Sequence, residues 1–268
     1  MATGIPSGLP TSGVSVLPSN TFSITLPSKG LLYDGKVPDG TVLLRPLTAK
    51  ELSILYNPGG DAMVKLNMII SSCVVNCQLD PTDFLLTDRM YTLLILRTRS
   101  MGAIYEFPLK CEACGAQYKE KIDISTELKT KELSPDTKEP VELKLPNSGD
   151  IITYRFLRGR DENAIAKSAK RMIMQSTDPS DPSFIMRIAT MLQSVGDKAD
   201  LDYYAKESYV SGLDAGDINE ISNDVEEKES GISLIVNTEC RKCSYLDEVM
   251  MPFTAEFFRP RRRETVGH

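Results

Sequence analysis

Hydrophobic and polar positions alternate over residues 21–26, with Phe22, Ile24 and Leu26 on one side, and this predicts a β-strand. Pro27-Ser28-Lys29-Gly30, Asp34-Gly35 and Pro38-Asp39-Gly40 read as turns, and residues 42–45 as a second strand. Thr48 and Glu51 stand at capping-box spacing, so a helix starts at Ala49 and stops at Asn57-Pro58-Gly59-Gly60. The 3–4 spacing of Met63, Leu66, Ile69, Ile70, Cys73 and Cys77 predicts a helix over 61–77. Cys73 and Cys77, at i,i+4 on that stripe, read as small buried thiols, with metal ligands on a helix as the alternative. Asp80 and Pro81 suit the N-cap and first position of another helix, reaching Ser100 and carrying Leu85, Leu86, Met90, Leu93, Leu94 and Leu96.

Residues 104–109 and 118–124 read as strands, the second alternating Tyr118, Glu120, Ile122 and Ile124 against lysines. The charged, turn-rich stretch 125–140 is expected as a linker or exposed loop. Residues 141–145 and 151–157 flank Pro146-Asn147-Ser148-Gly149-Asp150 as a β-hairpin. A helix over 161–175 turns Ala164, Ile165, Ala169, Met172 and Ile173 inward, with Arg158, Arg160, Lys167, Lys170 and Arg171 as a solvated basic face. A further helix covers 183–195. A short Tyr-rich element covers 201–212, and an acidic helix with the stripe Ile218, Ile221 and Val225 covers 215–229. Residues 232–237 and 248–252 are the last predicted strands.

Between these strands sit two C-x-x-C knuckles, Cys111-Glu112-Ala113-Cys114-Gly115 and Cys240-Arg241-Lys242-Cys243. Together Cys111, Cys114, Cys240 and Cys243 supply the ligand set of a closed tetrahedral zinc site, one structural Zn2+ per chain. The gap between the pairs is long for a simple ribbon, so two separate half-sites and a redox pair stand as alternatives. Neither pair lies at a strand-to-helix turn of a βαβ pattern, which weighs against the redox reading. Four thiolates leave no open position for water, and the single histidine is the terminal His268, so a catalytic zinc is disfavoured.

The fold class expected is α+β: a zinc ribbon closed by sequence-distant knuckles, with a hairpin plus helical insertion between them. The expected division is a flexible tail (1–20), an N-terminal α+β part with the first knuckle (21–125), the insertion (126–230), and the second knuckle with a basic tail (231–268). The tail is rich in Gly, Pro and Ser and builds no periodic face. Across 268 residues the net charge is −6, which opposes nucleic acid as the main partner. No apolar run is long enough for a membrane span, and the N-terminus lacks the pattern of a secretory signal. Six cysteines, four at metal spacing, suit a reducing compartment.

Several strings, in this order, resemble one family. They are Leu26-Pro27-Ser28-Lys29-Gly30, then Leu44-Arg45-Pro46-Leu47-Thr48-Ala49-Lys50-Glu51, the C-x-x-C-G at 111–115 and Arg158-Gly159-Arg160-Asp161-Glu162 after the hairpin. Gly231-Ile232, the second knuckle and Phe257-Phe258-Arg259-Pro260 close the series. The pattern is similar to the T4-like bacteriophage baseplate hub proteins, seen also as baseplate or tail assembly proteins of other contractile-tailed phages. The resemblance implies a structural or assembly role in the tail baseplate of the virion, with host cytoplasm as the place of assembly. The implied partners are other baseplate and hub proteins, with a second copy of the chain as a further candidate, and no catalysis is implied.

The residues support the non-enzyme reading independently, since no P-loop, G-x-G-x-x-G in βαβ context or H-E-x-x-H is present. Phe257 and Phe258 are candidate interface anchors, with ordinary core as the competing reading. Arg259, Arg261, Arg262 and Arg263 form a basic tail beside them. With Arg241 and Lys242 they motivate the alternative function, a nucleic-acid-binding zinc ribbon, which the net charge and the acidic 215–229 helix oppose.

Overall fold

The computed structural model describes residues 20–57, 59, 62–75, 77–175, 180–253 and 255–258. The chain enters as β1 (Phe22–Thr25), antiparallel to β2 (Thr41–Leu44) with Ile24 opposite Val42. The loop between them doubles back on itself. A Cβ on Gly30 would lie 2.0 Å from the Val37 carbonyl oxygen, and one on Gly40 2.6 Å from the Lys29 Cα, so the two crossing segments touch only because both positions are glycine. Asp88, fully buried, clamps this loop. It accepts from the Ser28 amide at 3.0 Å, the Ser28 hydroxyl at 2.5 Å and the Tyr33 hydroxyl at 2.6 Å. Burial pushes the Asp88 pKa up, and these three bonds pull against it.

Helix α1 (Ala49–Tyr56) carries the predicted capping box, with the Thr48 amide donating to the Glu51 carboxylate at 2.8 Å. Helix α2 (Ala62–Cys73) ends at Cys73 rather than Cys77. The β-branched pair that follows, β3 (Val74–Val75), pairs with Leu43 and Leu44 of β2. The expected helix from Asp80 is also divided. Asp80 caps only a 3-10 turn (Pro81–Asp83), and Phe84 and Leu85 run extended before α3 (Leu86–Met101). Distant backbone holds that break open: the Gly159 amide donates to the Phe84 carbonyl at 3.0 Å and the Leu86 amide to the Leu157 carbonyl at 3.1 Å.

Next come β4 (Ile104–Lys110) and β5 (Gln117–Asp123), a two-stranded hairpin. The stretch expected as an exposed linker is structured instead. It holds α4 (Ile124–Glu127) and β6 (Thr130–Lys131), buries Leu128 and Leu133, and ties back through the Leu133 amide to the Pro27 carbonyl at 3.0 Å. The hairpin β7 (Val141–Lys144) and β8 (Ile151–Tyr154) forms as predicted.

Helix α5 (Gly159–Gln175) buries Ile165 and Ala169; Ala164 falls off that stripe and is exposed, and Met172 and Ile173 are exposed because the buried stripe stops at Ala169 and the final turn stands clear. Two of the five residues of the expected solvated basic face are taken up by pairing: Arg158 meets Glu139 at 2.6 Å and Arg160 meets Asp83 at 3.0 Å. Helix α6 (Ser183–Met191) stops early because β9 (Leu192–Val195) joins the sheet on β8.

Helices α7 (Tyr203–Gly212) and α8 (Ala215–Lys228) follow. The expected strand 232–237 is split into β10 (Gly231–Ile232), which pairs with β6, and β11 (Ile235–Glu239), which pairs with β12 (Leu246–Met250). A 3-10 turn (Ala255–Phe258) ends the described chain. The result is a mixed helix and sheet fold of several small antiparallel sheets. One core cluster runs through it, from Leu26 and Leu44 through Leu94, Phe107, Phe156 and Ile165 to Phe257. Among the described residues no helix is long and apolar enough to cross a membrane.

Candidate metal centre

Each knuckle is the turn of a hairpin. The β4–β5 register sets Lys110 opposite Gln117, and β11–β12 sets Glu239 opposite Leu246, so the cysteines fall in turns of equal length. The turns share one hydrogen-bond plan. In the first, the Cys111 amide donates to the Ala116 carbonyl and the Gly115 amide to the Cys111 carbonyl, both at 2.9 Å. In the second, the Cys240 amide donates to the Tyr245 carbonyl at 2.9 Å and the Ser244 amide to the Cys240 carbonyl at 2.8 Å. The residue after the second cysteine is left-handed in both, Gly115 at φ 68° and Ser244 at φ 55°.

The fold brings the two turns together. The sulfurs of Cys111, Cys114, Cys240 and Cys243 all lie within 4.8 Å of one another. Cys111 Sγ is 3.7 Å from Cys243 Sγ, and Cys114 Sγ 3.8 Å from Cys240 Sγ. A disulfide needs about 2.05 Å, so these are free thiols. Four sulfurs about 2.3 Å from a tetrahedral centre stand about 3.8 Å apart, which these contacts match. The donor set therefore fits one four-coordinate metal ion shared by both knuckles rather than two half-sites.

The electrostatics agree with the geometry. The Lys242 and Cys243 amides point at Cys240 and draw its thiol down to about 6. Cys243 moves the other way, up to about 12: the Tyr245 amide lowers it, but the neighbouring Cys114, Cys240 and Cys111 thiols outweigh that. Thiolates this close would repel one another, and a cation held between them would offset that repulsion. Cys73 and Cys77 stand outside the cluster. Cys73 is fully buried, and burial pushes its thiol up to about 12, as suits an inert core residue.

The sequence reading missed a residue that ties the first knuckle hairpin and the terminal 3-10 turn to the body. Arg97 of α3 is buried, and it donates to the carbonyls of Phe257 at 3.3 Å, Ile104 at 2.8 Å, and Gly102. Its guanidinium also lies over the rings of Tyr105 at 5.5 Å and Phe257 at 5.3 Å. The available signal was its place three and four residues after Leu94 and Leu93, on a buried helical stripe.

Phe257 and Phe258, read as either interface anchors or ordinary core, are packed in this chain's own core, with 0% and 1% of their surfaces exposed. Phe257 sits edge-on to Tyr105 with centroids 5.0 Å apart, and the Phe258 carbonyl accepts from the Tyr56 hydroxyl at 3.3 Å. Arg259, Arg261, Arg262 and Arg263 lie outside the described residues.

No curated protein and no solved structure matches the chain. The family described as T4 bacteriophage base plate protein matches residues 23–259, which take in all of the described strands but the first residue of β1, both knuckles and the buried phenylalanines. A match over that much of the sequence places the chain in the T4 bacteriophage base plate protein family.

Proposed function

We propose that the chain is a structural or assembly protein of the hub region of the phage tail baseplate. It acts by binding other baseplate proteins, and one structural zinc ion on Cys111, Cys114, Cys240 and Cys243 stiffens it. Family membership supports the baseplate role and a virion tail location. The observation that carries the zinc reading is the gathering of four thiols from two distant hairpins to within 4.8 Å. All-thiolate tetrahedral sites are characteristic of structural zinc, and they leave no protein-held position for a reacting water. Both hairpins sit on the common core, Phe107 from one and Val236 from the other, so a metal joining their tips would fix their angle.

Quantitative mass spectrometry of purified phage particles tests the role. A fixed copy number per particle makes the chain a baseplate component. Absence from particles, with the chain bound to baseplate proteins in infected cells, makes it an assembly factor. Absence from both would sink the proposal. Metal analysis of the purified chain should give one zinc per chain, and a stoichiometry of two or of zero would overturn the shared site.

A further inference from the structure

Both knuckle hairpins are two-stranded, so every one of their strands has an outer edge with no ladder partner. Hydrogen bonds fix which residues face outward. The Cys240 amide donates to the Tyr245 carbonyl at 2.9 Å, and the Met251 amide to the Leu234 carbonyl at 2.8 Å. By alternation Tyr245, Asp247, Val249 and Met251 turn their backbone groups toward β11. Leu246, Glu248 and Met250 turn theirs away, and among the described residues no strand pairs with them.

Three of the four edges are guarded. The outward row of β4 includes Pro108, which has no amide to donate, and its Ile104 carbonyl is taken by Arg97 at 2.8 Å. The outward row of β5 carries Lys119 and Lys121, both exposed. β11 is flanked at its start, where the Ser233 amide donates to the Lys129 carbonyl at 2.8 Å. β12 is the exception. Leu246 and Met250 are 72% and 70% exposed, and Ile235, opposite Met250 on the same face, is 52% exposed. Glu248 is the single charge in the outward row of β12, and among the described residues it has no ion pair. It shares a hollow of about 350 Å3 with Glu127 and Lys129, two carboxylates to one ammonium, so negative charge is left over there. The hairpin's own cations, Arg241 and Lys242, stand in its turn.

We infer that the outer edge of β12 receives an extended segment of a partner chain by strand addition, with a Lys or Arg meeting Glu248 and an aliphatic residue two places to either side. The aliphatic side chains lie against Leu246 and Met250, and the free backbone groups of the edge complete the ladder. A second copy of the chain is a poor occupant. The antiparallel register that sets Leu246 against Met250 of the copy also sets Glu248 against Glu248, and like charges directly opposite destabilise a pair. The choice of a protein partner rests on the proposed baseplate role. The binding itself is read on the isolated chain, so its failure leaves the particle census untouched.

The probe is the fluorescein-labelled peptide Ser-Val-Thr-Lys-Thr-Val-Ser, titrated with the full-length chain and followed by anisotropy. Saturable binding is expected, with slower hydrogen exchange at the Leu246, Glu248 and Met250 amides. Leu246→Lys combined with Met250→Lys gives β12 the lysines that β5 carries, and should weaken binding about tenfold or more. Both side chains are exposed, and melting curves of the variant should match the parent. Ile173→Lys combined with Met174→Lys makes the same exchange on the exposed final turn of α5, and should change affinity by no more than about twofold. Replacing the central Lys of the probe by Glu should weaken binding to the parent about threefold, and Glu248→Gln should erase that preference. No saturable binding, equal weakening by both double variants, or unaltered exchange at the three amides would overturn strand addition. Equal or tighter binding of the Glu probe by the parent would overturn the basic character of the partner. Sedimentation of the parent as a dimer, abolished by Leu246→Lys with Met250→Lys, would give the edge to a second copy instead.

Discussion

Gly115 and Ser244 occupy equivalent left-handed positions, yet only one is glycine. Space is open around Gly115, so Gly115→Ala carries a backbone penalty without a clash, about 1 kcal/mol. Ser244→Gly should stabilise by a similar or smaller amount, since it relieves the same strain in the second knuckle. Opposite shifts of the urea midpoint check the pair, and shifts of equal sign would mean that the turns are not equivalent. Glu51 offers a second residue-scale outcome. Its two-point bond with Arg45, at 2.8 and 3.1 Å, pulls its pKa from 4.5 down to about 2, with further help from the Thr48 amide and hydroxyl. A depressed carboxylate stabilises the fold above its unfolded pKa and loses that contribution as pH falls through the folded value. The stabilisation, about 2–3 kcal/mol for a group this buried, should disappear between pH 4.5 and about 2. Glu51→Gln should flatten the stability profile in that window alone, and an unchanged profile would remove Glu51 as its source.

At the level of elements, α8 is clipped to the β7–β8 turn by Asp217 and by its N-cap Asp214, which accepts from the Asn147 side-chain amide at 2.8 Å. Asp217, fully buried, accepts from the Asn147 amide at 2.8 Å and the Ser148 amide at 2.9 Å. Asp217→Ala leaves two amides without their acceptor and should cost about 1–3 kcal/mol. Hydrogen exchange at Asn147 and Ser148 should accelerate at the same time, and unaltered protection there would refute the clip. Such long-range bonds explain which elements could be read from sequence. The capping box of α1 and both hairpins at the knuckles depend on neighbours a few residues away, and their spacing announces them. The end of α2 at Cys73 depends on Leu43 and Leu44, and the end of α6 on β8. The order in residues 125–140 depends on Gly231, Ile232 and Pro27. In each case the apolar spacing fits a helix or loop equally well, and a partner far along the chain decides. The four cysteines were legible because ligand spacing is local. That their turns meet depends on the intervening fold, which no spacing encodes.

For the molecule as a whole, a metal held by the four cysteines would act as a long-range crosslink. Cys114 and Cys240 are 126 positions apart, and closing a loop of that size in the unfolded chain is worth about 5 kcal/mol on the chain-entropy model used for covalent links. Cys240→Ser should release the metal and lower the melting temperature, and chelation of the parent chain should do the same. Retention of full zinc occupancy and stability by Cys240→Ser would show that the ion does not join the hairpins. Because the core is one cluster running from β1 to the terminal 3-10 turn, the loss should appear as a single transition rather than the melting of one part. The same separation sets a timetable during synthesis. At roughly 5–20 residues per second, the ribosome needs roughly 6–25 s to pass from the first knuckle to the second. Through that interval the two cysteines of the first hairpin lack the pair that completes their site. Closure of the site is thus deferred until the second knuckle has been made, and a chain that stops before Cys240 is left with a half-made site open to oxidants and to the wrong metal.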